Sequence, residues 1–245
     1  AKKGPDPESH PGARCVDAHP WGDGVLALEH GAHGAALQML SGSAAAPRLD
    51  DTIEPILVDT DGGQALVVGR CRDGEPCAQL FDGTTRGAVA LPTLPGCTLT
   101  PREALARGGH RWIRATASCA DGDRSYLARW DTQQQRWEPQ APPDGAVIYA
   151  LALGDDGAAW AIGRREAPTR EAFRLWRRRD ATFAPVTLPC VSLAGAPPAK
   201  VTPLEVVVDG DGGAWFVAVY QNENEDISAL LHTRPRDRVL TLTRR

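Results

Sequence analysis

The sequence has almost no lysine: Lys2, Lys3 and Lys200 are the only three in 245 residues. Arginine carries the positive charge. With a net charge of -4, a strongly basic nucleic-acid-binding surface is excluded as a leading reading. No run of about 18 apolar residues occurs, so no transmembrane helix, and hence no direct membrane span, is expected. No signal peptide pattern is visible. Helical periodicity is also nearly missing. Its best candidate is APTREAFRLWRRR at 167–179, where Pro168 and the alignment with neighbouring segments favour a loop followed by a strand. The G-x-S-x-G elbow, the P-loop, the dinucleotide fingerprint and H-E-x-x-H are all absent from the sequence.

What is present is a recurring turn. GDDGAAWAIG at 154–163 is echoed by TDGGQALVVG at 60–69, ARGGHRWIRA at 106–115 and GDGGAWFVAV at 210–219. Apolar residues alternate on both sides of each glycine, the pattern of strands with one buried face. Glycine tolerates the positive φ that a tight hairpin demands. Counting a shorter version at Gly24, the turns centre on Gly24, Gly63, Gly109, Gly157 and Gly212, spaced at propeller-repeat intervals. A third strand follows in each unit (AALQML, CAQLFDG, SYLARWD, AFRLWRR, SALLHTR). A fourth comes after it (AAAPRL, RGAVALP, RWEPQAPP, FAPVTLP, RVLTLT).

These features predict an all-β fold, a five-bladed β-propeller of four-stranded antiparallel blades. A flexible tail is expected over 1–14. A single propeller domain is expected over 15–245, with blades at about 15–51, 52–96, 97–143, 144–189 and 190–245. The chain resembles bacterial exported β-propeller repeat proteins of the kelch-like and sensor-propeller kind. The matching residues are Asp156, Gly157 and Trp160; Gly212, Gly213 and Trp215; and Trp130-Asp131 followed by Trp137. The first unit departs most, since it lacks the tryptophan after the turn. Trp112, Trp160 and Trp215 each lie three residues beyond a turn glycine. Packing between sheets is their expected role, and an aromatic sugar platform is the alternative.

Six cysteines outside any metal-ligand spacing imply disulfides and an oxidising compartment. Cys97 and Cys119 flank a hairpin centred on Gly108, and Cys71 and Cys77 flank RDGEP, which suggests Cys71–Cys77 and Cys97–Cys119. Cys15 and Cys190 remain. Each opens a unit, and a Cys15–Cys190 bond would staple the first unit to the fifth, at roughly 4–5 kcal/mol by loop entropy.

Candidate site residues lie on the loops between second and third strands, where propellers vary. LEHGAHG brings Glu29, His30 and His33 together, a set that could ligate zinc but lacks a fourth ligand. GRREAPTREAF offers Arg164 and Arg165 for an anion or a protein. YQNENEDIS offers Asn222, Glu223, Glu225 and Asp226, oxygen ligands suited to calcium. No other cofactor is implied. Asp59, Asp61, Asp209 and Asp211 read as turn formers. Glu54, Glu103 and Glu205 are the carboxylates on or beside first strands that a glycosidase would need. The leading functional expectation is a non-catalytic module that is secreted, periplasmic or on the surface of a bacterium. It would bind a protein or glycan partner, with a subunit of a larger assembly left open. The alternative is a propeller enzyme, a polysaccharide or lactone lyase or hydrolase with a divalent cation.

Overall fold

The computed structural model describes residues 14–32, 34–81, 87–165, 172–179, 181–186, 200–209, 212–221, 226–233 and 241–244. Blade 1 comprises β1 (Arg14–Trp21), β2 (Gly24–Gly31) and β3 (Gly34–Ser41). Blade 2 comprises β4 (Ile53–Asp61), β5 (Gln64–Cys71), β6 (Pro76–Phe81) and β7 (Val89–Ala90). Blade 3 has β8 (Cys97–Arg107), β9 (His110–Cys119), β10 (Gly122–Asp131) and β11 (Arg136–Gln140). Blade 4 has β12 (Val147–Leu153), β13 (Ala159–Arg165), β14 (Ala172–Arg179) and β15 (Thr182–Val186). Blade 5 has β16 (Lys200–Val208), β17 (Ala214–Gln221), β18 (Asp226–Thr233) and β19 (Thr241–Arg244). Within each sheet the strands stand side by side in chain order. The fold is the five-bladed β-propeller that the repeat predicts. No helix among the described residues is long and apolar enough to cross a membrane.

The hairpin turns follow from their glycines. Gly63 and Gly109 sit at φ of 90° and 79°, which a side chain rarely adopts. A second device recurs in the first strand. Its pairing slips by one residue between Cys15 and Asp17, Pro55 and Leu57, Ile148 and Ala150, and Pro203 and Glu205. Such a bulge sharpens the local twist. In blades 2 and 4 the residue opposite is Gly69 or Gly163. A Cβ there would stand 2.0 Å from the Glu54 carbonyl oxygen or 2.3 Å from that of Val147.

The chain forms two compact units. One holds blades 1 and 2 and most of blade 3; the other holds blades 4 and 5 with Arg107–His110 and Asp123–Leu127. In the first, Leu26 and Leu28 pack with Ile53, Val58, Ala65, Val67, Cys77 and Phe81. In the second, Ala152, Trp160, Ile162 and Leu175 of blade 4 meet Val206, Phe216, Ala218 and Tyr220 of blade 5. Each large side chain buried in this way contributes about 1.5–3 kcal/mol. Trp112 and Trp160 are fully buried, as their packing role requires.

Two disulfides form as the hairpins suggest, Cys71–Cys77 and Cys97–Cys119. The first is offset from the ladder, because Cys77 pairs with Gly69 while the Cys71 amide donates to the Glu75 carbonyl. Cys15 is free and exposed among the described residues; Cys190, its suggested partner, lies outside them. So do residues 1–13 of the expected tail.

Blade 1 corrects one expectation. AAAPRL does not form its fourth strand, and the sheet has three strands among the described residues. Pro47 has no amide to donate, and alanine has little preference for a pleated strand. The segment is held elsewhere. Gln79, fully buried on β6, accepts from the Asp50 amide at 2.8 Å and donates to the Arg48 carbonyl at 3.5 Å.

Candidate functional site

The loop residues named from sequence are placed unevenly. Glu29 and His30 belong to β2 rather than to a loop, and His30 pairs with Arg14 and Ala35. His33 lies outside the described residues. Arg164 and Arg165 end β13, opposite Phe173 and Ala172; Arg164 is partly buried, and the Arg165 side chain is not described. Asn222, Glu223 and Glu225 lie outside the described residues. Asp226 opens β18 opposite Gln221. Among the described residues no group of three His, Cys, Asp or Glu is arranged to hold a metal ion. Of the carboxylates weighed for catalysis, Glu54 and Glu205 are exposed on β4 and β16, and Glu103 pairs with the Arg114 guanidinium at 2.7 Å.

Two constellations that the sequence did not reveal stand beside the turns that join first strands to second strands. In the first unit, His19 of β1 lies between two carboxylates. Nε2 is 2.8 Å from Asp17 and Nδ1 is 3.1 Å from Asp59. The hydrogen bond to Asp17, then that to Asp59, pushes the imidazole up to about 9, against the opposing effect of burial. Asp59 also accepts the Ala106 amide of β8 at 2.6 Å, and the Thr60 hydroxyl donates to the Pro20 carbonyl at 2.5 Å. Three blades are tied here. With carboxylates on both ring nitrogens, His19 is placed as a structural cation rather than as a base.

The second constellation is in the other unit. Trp160 and Trp215 occupy matching places in blades 4 and 5, and each faces a cationic or polar ring side chain on the third strand: Trp160 pairs with Arg177, Trp215 with His232. Arg177 lies 5.2 Å over the Trp160 ring and 3.6 Å from Asp156 of the turn. His232 stacks on Trp215 with centroids 4.1 Å apart and contacts Asp209 of the turn at 2.5 Å. Asp209 also accepts the Gly213 amide at 2.7 Å, so it serves its turn, as expected, and the ring beside it. The hairpin register was the signal that could have paired these residues.

The two tryptophans differ in burial. Trp160 is enclosed, whereas Trp215 is 39% exposed. Around it on the same face are Val207, 50% exposed, and Leu230, 41% exposed; Leu204 at the bulge is 57% exposed. Exposed aliphatic side chains scattered singly are ordinary, but several around a tryptophan on one sheet mark a contact surface.

No protein-family model matches the sequence, and no curated protein matches it. Solved structures match by fold. A puromycin-hydrolysing peptidase from Mycobacterium tuberculosis aligns over 98% of this chain and 38% of its own, at 14% identity and TM-score 0.60. The extracellular domain of BT4673 from B. thetaiotaomicron aligns over 98% and 36%, at 11% identity and TM-score 0.47. YCF48 bound to D1 peptide aligns over 94% and 81%, at 13% identity and TM-score 0.37. The chain thus spans just over a third of the first two. At 14% identity the likeness to the peptidase shows the fold alone and carries no chemistry across.

Proposed function

We propose that this chain is an exported, non-catalytic propeller that binds a protein partner through the exposed face of blade 5 centred on Trp215. The observation that carries the reading is the contrast between Trp160, enclosed, and Trp215, open beside Val207 and Leu230. Tryptophan in an apolar surround is the common anchor of protein interfaces. A glycan would need polar groups fanned around an open ring face. Here one face of the indole is occupied by His232, and its exposed neighbours on the sheet face are aliphatic Val207 and Leu230 with the single carboxylate of Glu205. Two disulfides fit an oxidising compartment, in accord with export. The enzymatic alternative has weaker support, because both His–Asp pairs are engaged in ties across turns and strands.

The test compares Trp215→Ala with Trp160→Ala. Trp160→Ala is expected to cost about 3–5 kcal/mol, as a large core deletion does. Trp215→Ala is expected to cost less than about 1 kcal/mol. A photo-crosslinker placed at Val207 in the native exported fraction should trap a discrete protein, and Trp215→Ala should abolish the product. If Trp215→Ala destabilises as much as Trp160→Ala, the residue is a packing group and the proposal is wrong. A glycan-array signal lost in Trp215→Ala would replace the protein partner with a sugar.

A further inference from the structure

In blades 2 to 5 the third strand is flanked by a fourth: β7, β11, β15 or β19. In blade 1, β3 pairs with β2 from Gly34 to Ser41, and among the described residues no backbone hydrogen bond reaches its outer side. An open strand edge offers alternate N–H and C=O groups to any extended chain. Proteins usually blunt such edges with charge, proline or a bulge. β3 reads GAALQMLS, with no charge and no proline. Its one bulge is at Leu40, which leaves Gly34–Met39 in regular register. Leu40 itself is 44% exposed.

The chain that would have closed this edge is tied down away from it. Asp23 accepts the Ser43 amide at 2.9 Å and its hydroxyl at 2.8 Å, and the Trp21 indole donates to the Ala45 carbonyl at 3.2 Å. Gln79 of blade 2 holds Arg48 and Asp50. Ala35, Leu37 and Met39 border the same apolar cluster as Ala46 and Leu49. A strand laid on β3 would therefore meet backbone partners along its length and apolar side chains on one side.

We propose that the outer edge of β3 is a β-augmentation site, which takes an extended, uncharged segment of a partner protein as the antiparallel fourth strand of blade 1. The fourth strands of the other blades run from 2 to 5 residues, so a segment of about that length fills the place. Because β3 carries no charge, a charged side chain on the segment would find no opposite charge across the pair. The place holds a single short strand in the other four blades, whereas a second copy of this chain would bring a whole sheet with it. This proposal does not rest on the Trp215 reading, and either stands if the other fails.

The full chain is tested with a capped heptapeptide of alternating threonine and valine, and with the same peptide N-methylated at alternate residues. Binding of the first should slow amide exchange over 34–41 at least tenfold, and the N-methylated peptide should bind at least tenfold more weakly. Ala36→Lys adds a charge at an exposed edge position. It should weaken a lysine-bearing version of the peptide and favour a glutamate-bearing one, with the melting midpoint unchanged; a purely structural role for β3 predicts no such charge swap. Three results would overturn the proposal. The first is no slowing at saturating peptide. The second is exchange already slow in the free monomer, which means that the chain covers its own edge. The third is protection that grows with protein concentration, which gives the edge to a second copy.

Discussion

His19 carries a charge whose stability effect has a definite sign. Its folded value of about 9 lies above the ordinary 6.5, because Asp17 and Asp59 both hold the protonated ring. Protonation therefore favours the folded state. The contribution is complete below about pH 6.5 and is lost as the pH rises through 9. Asp17 is partly open to solvent, so screening limits the effect to roughly 1–2 kcal/mol. Urea midpoints at pH 6 and pH 9.5 should show this extra loss in the native chain and not in His19→Gln. An equal loss in both would remove the imidazole from the tie between β1 and β4. At this scale the sequence was only partly readable. Asp59 reads as a turn former in the sequence, but it lies within β4 opposite Leu66, and its contacts with His19 and the Ala106 amide join residues 40 to 47 positions apart, which no local pattern records.

At the scale of the strand, the alternation of apolar residues and the position of the glycines were enough to place the hairpins, including β14, where arginine-rich AFRLWRRR could have passed for a helix. The fourth strand of blade 1 was not readable, because AAAPRL alternates weakly and its fate was decided by a buried amide on another blade. That amide gives a prediction. Gln79→Ala leaves the Asp50 amide and the Arg48 carbonyl without their side-chain partner, and this should cost about 1–3 kcal/mol. Released, the segment should be cut by trypsin after Arg48 well before global unfolding. Limited proteolysis with mass mapping checks it, and unchanged cleavage would show that the carboxamide does not hold the segment. The bulge opposite Gly69 is a second such case: Gly69→Ala would drive a methyl into the Glu54 carbonyl and should destabilise blade 2.

For the whole molecule, the disulfides set the expected response to reduction. By loop entropy, the 22-residue separation of Cys97 and Cys119 is worth about 3 kcal/mol, and the 6-residue separation of Cys71 and Cys77 about 2 kcal/mol. Removing the first pair as serines should lower the melting temperature more than removing the second, as calorimetry under non-reducing conditions would show. The reverse order would mean that strain, not chain entropy, governs them. The sequence alone determined the blade count, the hairpin turns and these two bonds, because each is set by residues close along the chain with a repeating period. Which tryptophan stays open to solvent, which edge lacks a fourth strand among the described residues, and which histidine is held between carboxylates were decided only in three dimensions. Exposure and charge pairing depend on what distant segments cover, and that is a property of the packed sheets rather than of any one stretch of residues.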